Sequence, residues 1–206
     1  MSAVNFTPEE KSVIVGSLLG DGYVGKHNSL QIEHSLSQAE YVHWKYRKLK
    51  SIAGKPPRVI TRFDVRTQKS YQSIRFYTRC VMNDFRRLFY NNGIKIVPSN
   101  LSEYLDDLAL AVWFMDDGGR GANTLHGIVF NTSAYSEDEQ FHLKNILYEK
   151  FNLKLNVHRI GRGYQLYVAS KSYSSFYNRI SSYLISEMKY KLVNPVTTEF
   201  RNSGMR

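Results

Sequence analysis

Leu110-Ala111-Val112-Trp113-Phe114-Met115-Asp116-Asp117-Gly118 is an apolar run that closes on two carboxylates and a glycine. A looser copy stands upstream, Ile14-Val15-Gly16-Ser17-Leu18-Leu19-Gly20-Asp21-Gly22. Each copy is followed at one distance by a lysine: 95 − 21 = 74 positions separate Asp21 from Lys95, and 191 − 117 = 74 separate Asp117 from Lys191. The lysines also share surroundings, Lys95-Ile96-Val97-Pro98 against Lys191-Leu192-Val193-Asn194-Pro195. An acid and a lysine set twice at one spacing describe a duplicated half-site, with pseudo-two-fold symmetry inside one polypeptide. Duplex DNA has two antiparallel strands, and cutting both calls for two similar sites.

Apolar residues with almost no polar interruption read as a buried helix, with Gly22 and Gly118-Gly119 as its C-terminal stops. The helix dipole then puts partial negative charge where Asp21, Asp116 and Asp117 sit, disfavouring each carboxylate by about 0.3–1 kcal/mol. A bound cation reverses that sign. Hard divalent ions such as Mg²⁺ are held by a carboxylate or two, with water and phosphate oxygens completing the shell. An exposed Asp-Gly turn would explain either run alone, but not two runs with matched lysines.

The chain has 206 residues, enough for one large domain or two small fused ones with a real core. Its 28 Lys+Arg against 18 Asp+Glu give a net charge of +10, which favours a polyanionic partner, nucleic acid first. An anionic membrane surface is disfavoured because the basic residues are spread along the chain and not gathered on one amphipathic helix. Cys80 is the single cysteine, so neither a disulfide framework nor a cysteine zinc site forms within the chain. No apolar stretch reaches the ~18 residues needed to span a bilayer. The N-terminus lacks the basic start and apolar core of a signal peptide. The expectation is a soluble intracellular protein.

Periodicity gives one order of elements twice. Helix 7–20 opens with Thr7-Pro8-Glu9-Glu10, a cap, a first-turn proline and a carboxylate three positions on. A strand around Leu30, Ile32 and His34 follows, then a helix over 38–52, strands over 58–66 and 71–79, and a helix over 81–92. The second series predicts a helix over 103–116, a strand over 125–132 and a helix over 136–150, capped by Ser136 and Glu139. Strands over 154–160 and 163–170 flank Gly161-Arg162-Gly163, and a helix covers 172–185. Tyr71-Gln72 and Tyr164-Gln165 are expected to open corresponding strands. The expected domains are 1–98 and 107–206, joined by a linker over 99–106.

Parity in the first hairpin places Arg58, Ile60, Arg62, Asp64 and Arg66 on one face, with Val59, Thr61, Phe63 and Val65 on the other. Likewise Tyr71, Ser73, Arg75, Tyr77 and Arg79 oppose Gln72, Ile74, Phe76 and Thr78. One face is expected to be core and the other a nucleic-acid surface. Arg pairs bidentately with guanine, and Gln or Asn with adenine. Candidate DNA contacts are Arg58, Arg62, Arg66, Arg75, Arg79 and Gln31 in the first half, and Asn131, Asn156, His158, Arg162 and Gln165 in the second.

The paired runs resemble the motifs of the LAGLIDADG homing endonucleases in their single-chain, two-motif form. Trp113-Phe114-Met115-Asp116-Asp117-Gly118-Gly119 matches the variant of the intron-encoded branch. The resemblance implies an α+β fold, a duplicated αββαββα unit with two saddle-forming antiparallel sheets and the motif helices packed at the pseudo-dyad. Aligned on the motif, the metal-binding acids are Asp21 and Asp117, with Gly20 and Asp116 offering backbone carbonyls. Lys95 and Lys191 correspond to basic residues near the cleft. Ser17, Leu19 and Val112 depart from the motif, and Val112 stands where a small residue usually lets the helices approach.

The resemblance also implies a monomeric endonuclease that recognises a long DNA target and hydrolyses both strands to leave short 3′ overhangs. Mg²⁺ is the expected ion, with Mn²⁺ able to substitute and Ca²⁺ supporting binding without cleavage. The alternative is an RNA-binding maturase that uses the same basic surface on its host intron. A transcription regulator that has lost the acids is disfavoured by Asp21 and Asp117. The compartment would be a mitochondrion or other organelle in a fungus or alga, and the cytoplasm in a microbe.

Overall fold

The computed structural model describes residues 5–121, 127–161 and 163–192. Helix α1 (Pro8–Leu19) is capped as the sequence dictates: the Thr7 side chain accepts from the Glu10 amide, and the Glu10 carboxylate accepts from the Thr7 amide. It leads into β1 (Tyr23–Val24), β2 (Leu30–Ser35), α2 (Ala39–Lys48), β3 (Arg58–Asp64), β4 (Lys69–Tyr77) and α3 (Asn83–Phe89). A small hairpin comes next, β5 (Tyr90–Asn91) and β6 (Ile94–Lys95). Its loop is Asn92-Gly93, both at positive φ, so what reads as a helix stop in the sequence is a two-residue turn.

The second series repeats the order: α4 (Asp107–Asp117), β7 (Gly118–Arg120), β8 (Ile128–Asn131), α5 (Glu137–Phe151), β9 (Leu155–Ile160), β10 (Gly163–Val168) and α6 (Tyr173–Ile180). A 3-10 segment, Ser186–Lys191, comes after it. Ser136 and Glu139 form the expected capping box on α5. Helix α4 starts later than expected because Leu101–Glu103 makes a separate 3-10 turn and Asp106 caps the Ala109 amide. The two antiparallel sheets have matching strand orders, β1-β2-β4-β3 and β7-β8-β10-β9.

Helices α1 and α4 pack against each other at the centre, buried on every side, with Val13 to Leu19 and Ala109 to Met115 all inside. Val112 does not hold them apart, because Gly16 makes room for it. A Cβ at Gly16 would stand 2.4 Å from the Ala109 carbonyl and 2.6 Å from the Val112 Cβ. The glycines after the helices stop them as expected, without the left-handed conformation common at helix ends. Gly118 caps α4 at φ −79°, and among the described glycines positive φ occurs only at Gly93 and Gly161. Lack of a side chain is what matters there: a Cβ at Gly22 would lie 2.6 Å from the Ser17 carbonyl, and one at Gly118 2.0 Å from the Phe114 ring.

Two expectations for the first hairpin need correction. The apolar parity is core only near its base, where Ile74 and Phe76 are buried, whereas Val59, Phe63 and Val65 are 50%, 58% and 72% exposed. The reason is reach: β3 is the edge strand, and α2 packs on β2 and β4. Nor do Tyr71-Gln72 and Tyr164-Gln165 correspond. Gly119 pairs with Val129 as Tyr23 pairs with Gln31, and counting on from there Gln165 occupies the place of Arg75. Hairpin β3–β4 is the longer of the two.

Candidate active site

The ends of α1 and α4 bring Gly20, Asp21, Asp116 and Asp117 together, and each end is held by its lysine. Lys95 Nζ donates to the Gly20 carbonyl at 2.7 Å. Lys191 Nζ donates to the Met115 carbonyl at 2.6 Å and lies 3.2 Å from that of Asp116. Both ammonium groups therefore satisfy helix-end carbonyls and oppose the negative end of the dipole. The equal spacing hides unequal backbones, since Lys95 sits on a β-hairpin and Lys191 on a 3-10 segment. Burial lowers both lysine pKa values, and the nearby aspartates pull them back up.

Like charges are crowded at this junction. The Asp117 carboxyl is pushed up to about 8 by burial and by Asp116 and Asp21, and that of Asp21 is raised by burial and by Asp116. Asp116 stands apart from both. Its side chain is 0% exposed and ion-paired with a Lys45 that is also 0% exposed, at 2.7 and 2.9 Å. The Tyr41 hydroxyl lies 2.8 Å from Asp116 Oδ1, and the Asp21 amide donates to Asp116 Oδ2 at 3.3 Å. His34 stands between, with Nδ1 3.5 Å from Asp21 and Nε2 3.7 Å from Asp116; burial drops its pKa to about 4, so the imidazole is neutral.

Ligand atoms of Asp21, His34 and Asp116 lie within 4.8 Å of one another, a spacing that suits a cation. Asp116 is already committed to Lys45, whereas the Asp21 side chain is half exposed. Asp21 and Asp117 are thus left as the acids able to take a divalent ion, whose charge would oppose the burial and the like charges that raise both carboxyl pKa values. The Gly20 and Asp116 carbonyls expected to join it already accept from lysine. Each carbonyl has a second lone pair free to accept.

Beyond the helix ends, each sheet turns one face to its helices and leaves the other open. Leu30, Ile32, His34, Ile74 and Phe76 fill the inner face of the first sheet. Gln31, Glu33, Arg58, Arg62 and Arg75 share the open face, registered by Glu33↔Arg75, Arg58↔Arg75 and Gln31↔Tyr77. Asn131, Gln165, His158 and Asn156 take the corresponding face of the second sheet, where His158 stacks on Tyr167. Two of the expected contacts fall elsewhere: Arg66 lies in the β3–β4 turn beside Asp64, and Arg79 is past β4 and donates to the Ser51 carbonyl. Arg162 is outside the described residues.

The model of the LAGLIDADG DNA endonuclease family matches residues 11–176, which includes both helix ends and both sheets. This chain is a member of that family. It is 30% identical to a cytochrome b mRNA maturase bI2 of Debaryomyces hansenii, over 93% of this chain and 78% of that protein. It is 27% identical to the DNA endonuclease I-ChuI of Chlamydomonas applanata, over 92% and 96% of the two chains. The solved structure of the homing endonuclease I-WcaI bound to its DNA recognition sequence superposes with a TM-score of 0.85 at 29% identity, covering 92% of this chain and 88% of that one.

Within this LAGLIDADG chain, Lys45, Tyr41, His34 and Tyr135 went unread in the sequence. Each acts across the two element series: the Tyr41 hydroxyl is 3.1 Å from the Val112 carbonyl, and the Tyr135 hydroxyl donates to that of Leu19 at 2.9 Å. One signal was available. The second motif carries one more acid than the first, and a buried extra acid needs an extra cation.

Proposed function

We propose that the chain is a site-specific, divalent-metal-dependent DNA endonuclease that cuts both strands of a long target and leaves short 3′ overhangs. Its halves, 1–98 and 107–206, would each supply one site. The observation that carries this reading is the pair of helix ends: each ends in an acid, Asp21 or Asp117, next to a carbonyl that a lysine caps, and each series adds a sheet with an open face of basic or amide side chains. Asp21 and Asp117 would hold the metal, which when bound would supply Lewis-acid chemistry at the scissile phosphates and a more acidic water. Lys95 and Lys191 fix the carbonyls at which the acids are hung and offset negative charge where phosphates must approach. The open faces bind the duplex, chiefly through phosphates for affinity and base edges for specificity. One chain supplies both acids, so it acts as a monomer.

A pool of randomised duplexes incubated with Mg²⁺ tests this reading. Linear products with a common sequence are expected, Mn²⁺ should replace Mg²⁺, and Ca²⁺ should allow binding alone. Absence of cleavage with retained binding of intron RNA would favour the second reading, an intron maturase, which the likeness to a cytochrome b mRNA maturase supports. That relative's name also favours an organellar location over a cytoplasmic one. Among the described residues no helix is long and apolar enough to cross a membrane.

A further inference from the structure

Glu33 puts a carboxylate in the middle of the open face of the first sheet, where a nucleic-acid surface would be expected to be positive. It gathers donors from its own strand and from β4 and β3 beyond it. Arg62 binds it through both terminal nitrogens, Nη2 at 3.2 Å, while Ser73 Oγ donates at 2.5 Å and Gln31 Nε2 at 3.0 Å. Arg75 Nη1 lies 3.6 Å away. The Glu33 side chain is 16% exposed and that of Arg62 53%. Each guanidinium has five donors, so the contacts with Glu33 leave others to present outward at an angle the carboxylate fixes.

The carboxylate offsets one of the two guanidinium charges and fixes their orientation, so this cluster suits the directed acceptors of a groove better than the diffuse charge of a DNA backbone. In the major groove a single G·C pair shows the guanine O6 and N7 acceptors beside the cytosine N4 donor. Arginine donors held at a fixed angle are the complement of the guanine acceptors, and Glu33, whose own acceptor sites are filled by Arg62, Ser73 and Gln31, sets that angle. The second sheet differs at the same place. Strand register matches the row Arg58–Arg75–Glu33 to the row His158–Gln165–Asn131, which carries amides and an imidazole and no carboxylate. Amide side chains pair bidentately with adenine.

We infer that Glu33 is a specificity-determining residue: with Arg62 and Arg75 it selects a G·C pair in one half of the target, and Asn131 with Gln165 selects an A·T pair at the dyad-related position. This rests on the chain being a sequence-specific DNA binder, as proposed above. The target is therefore unsymmetrical at a position where the fold is symmetrical.

The test is selection from randomised duplexes, by binding in Ca²⁺ and by cleavage in Mg²⁺, with the original chain, Glu33→Gln, and the exchange variant Asn131→Glu/Gln165→Arg. The original chain should fix G·C at one position and A·T at its mirror. Glu33→Gln should lower the G·C preference by about tenfold at that position, leave the other positions as they were, and tighten binding to unrelated duplex, since a negative charge is gone. The exchange variant should move G·C to the mirrored position. An original chain with clear preferences that Glu33→Gln leaves intact, or erodes equally everywhere, overturns the inference alone. An exchange variant that keeps A·T overturns its second half. An original chain with no preference at any position overturns the proposed function as well.

Discussion

The two motif helices end on the same acid and the same capping lysine, yet their surroundings differ. After α1, Asp21 follows a glycine and is half exposed; at the end of α4, Asp117 follows a second aspartate and is partly buried. The charged part of the extra machinery serves the second end: Lys45 and Tyr41 reach across from the first series to Asp116, whose carboxylate in turn receives the amide of Asp21. The first end gains the uncharged Tyr135 hydroxyl on the Leu19 carbonyl and a neutral His34 beside Asp21. Pseudosymmetry thus holds for the backbone and for the acids, and fails for the charge network behind them. The lesson is that duplicated chemistry does not require duplicated support.

The largest expected effect tests what the two ends share. Asp21→Asn and Asp117→Asn should each reduce double-strand cleavage at least about a thousandfold, about 4 kcal/mol in barrier, with duplex binding in Ca²⁺ retained. Equal losses measured by gel would sharpen the symmetry of the acids. A mutant that still cuts both strands at the normal rate would break it.

Next comes what they do not share. Lys45→Met strands a buried carboxylate and should lower unfolding free energy by about 3–5 kcal/mol, whereas Lys45→Met/Asp116→Leu should recover most of it. Denaturant titration would show this, and a Lys45→Met chain as stable as the original would dismiss the network.

The lysines should separate by degree. Lys95→Met and Lys191→Met should slow cleavage by about 10- to 100-fold, 1.4–2.8 kcal/mol, with little change in affinity. The Lys191 variant should suffer more, because two carbonyls lose their donor. Mutants that lose only affinity would make both lysines plain phosphate contacts.

The smallest effect is a pH signature. Asp117 titrates near 8 when folded and near 3.8 when unfolded, so the folded chain binds the extra proton between those values. Stability of the metal-free protein should therefore fall as pH rises through that window. His34 works oppositely, with a folded pKa of about 4 against 6.5, so its contribution is lost as pH drops below 6.5. Between pH 6.5 and 8 only the first acts among these two, and Tm should decline there. Added Ca²⁺ should stabilise more at pH 8 than at pH 6.5, and Asp117→Asn should flatten both trends. A flat Tm profile for the unmodified chain would remove the crowding of Asp117 from the account.

What the sequence revealed and what it concealed divide along one physical line. Features set by neighbours in the chain were legible: the capping boxes at Thr7 and Ser136, the apolar runs, the parity of Arg58, Arg62 and Arg75, and the spacing of acid and lysine. Features set by contact across the fold were not. Lys45 looks like any helix lysine until Asp116 is packed against it. Gly16 carries no mark that it will make room for Val112. The exposed Val59 and Phe63 follow the alternation of a core strand, and only the limited reach of α2 shows otherwise.

The fit of Gly20 against Asp116 bears on how such a chain could have arisen from a duplicated unit. A Cβ at position 20 would stand 2.5 Å from that of Asp116, closer than two side chains tolerate. The second carboxylate could thus be carried by one copy of the motif or by the other, never by both. A symmetrical dimer of the Met115-Asp116-Asp117 unit would place two such carboxylates in a space sized for one. Joining the copies in a single chain removes that conflict, because one copy can then keep its glycine for the benefit of the other. Once fixed, the arrangement admits no single-step return: an acid at 20 first requires a smaller residue at 116.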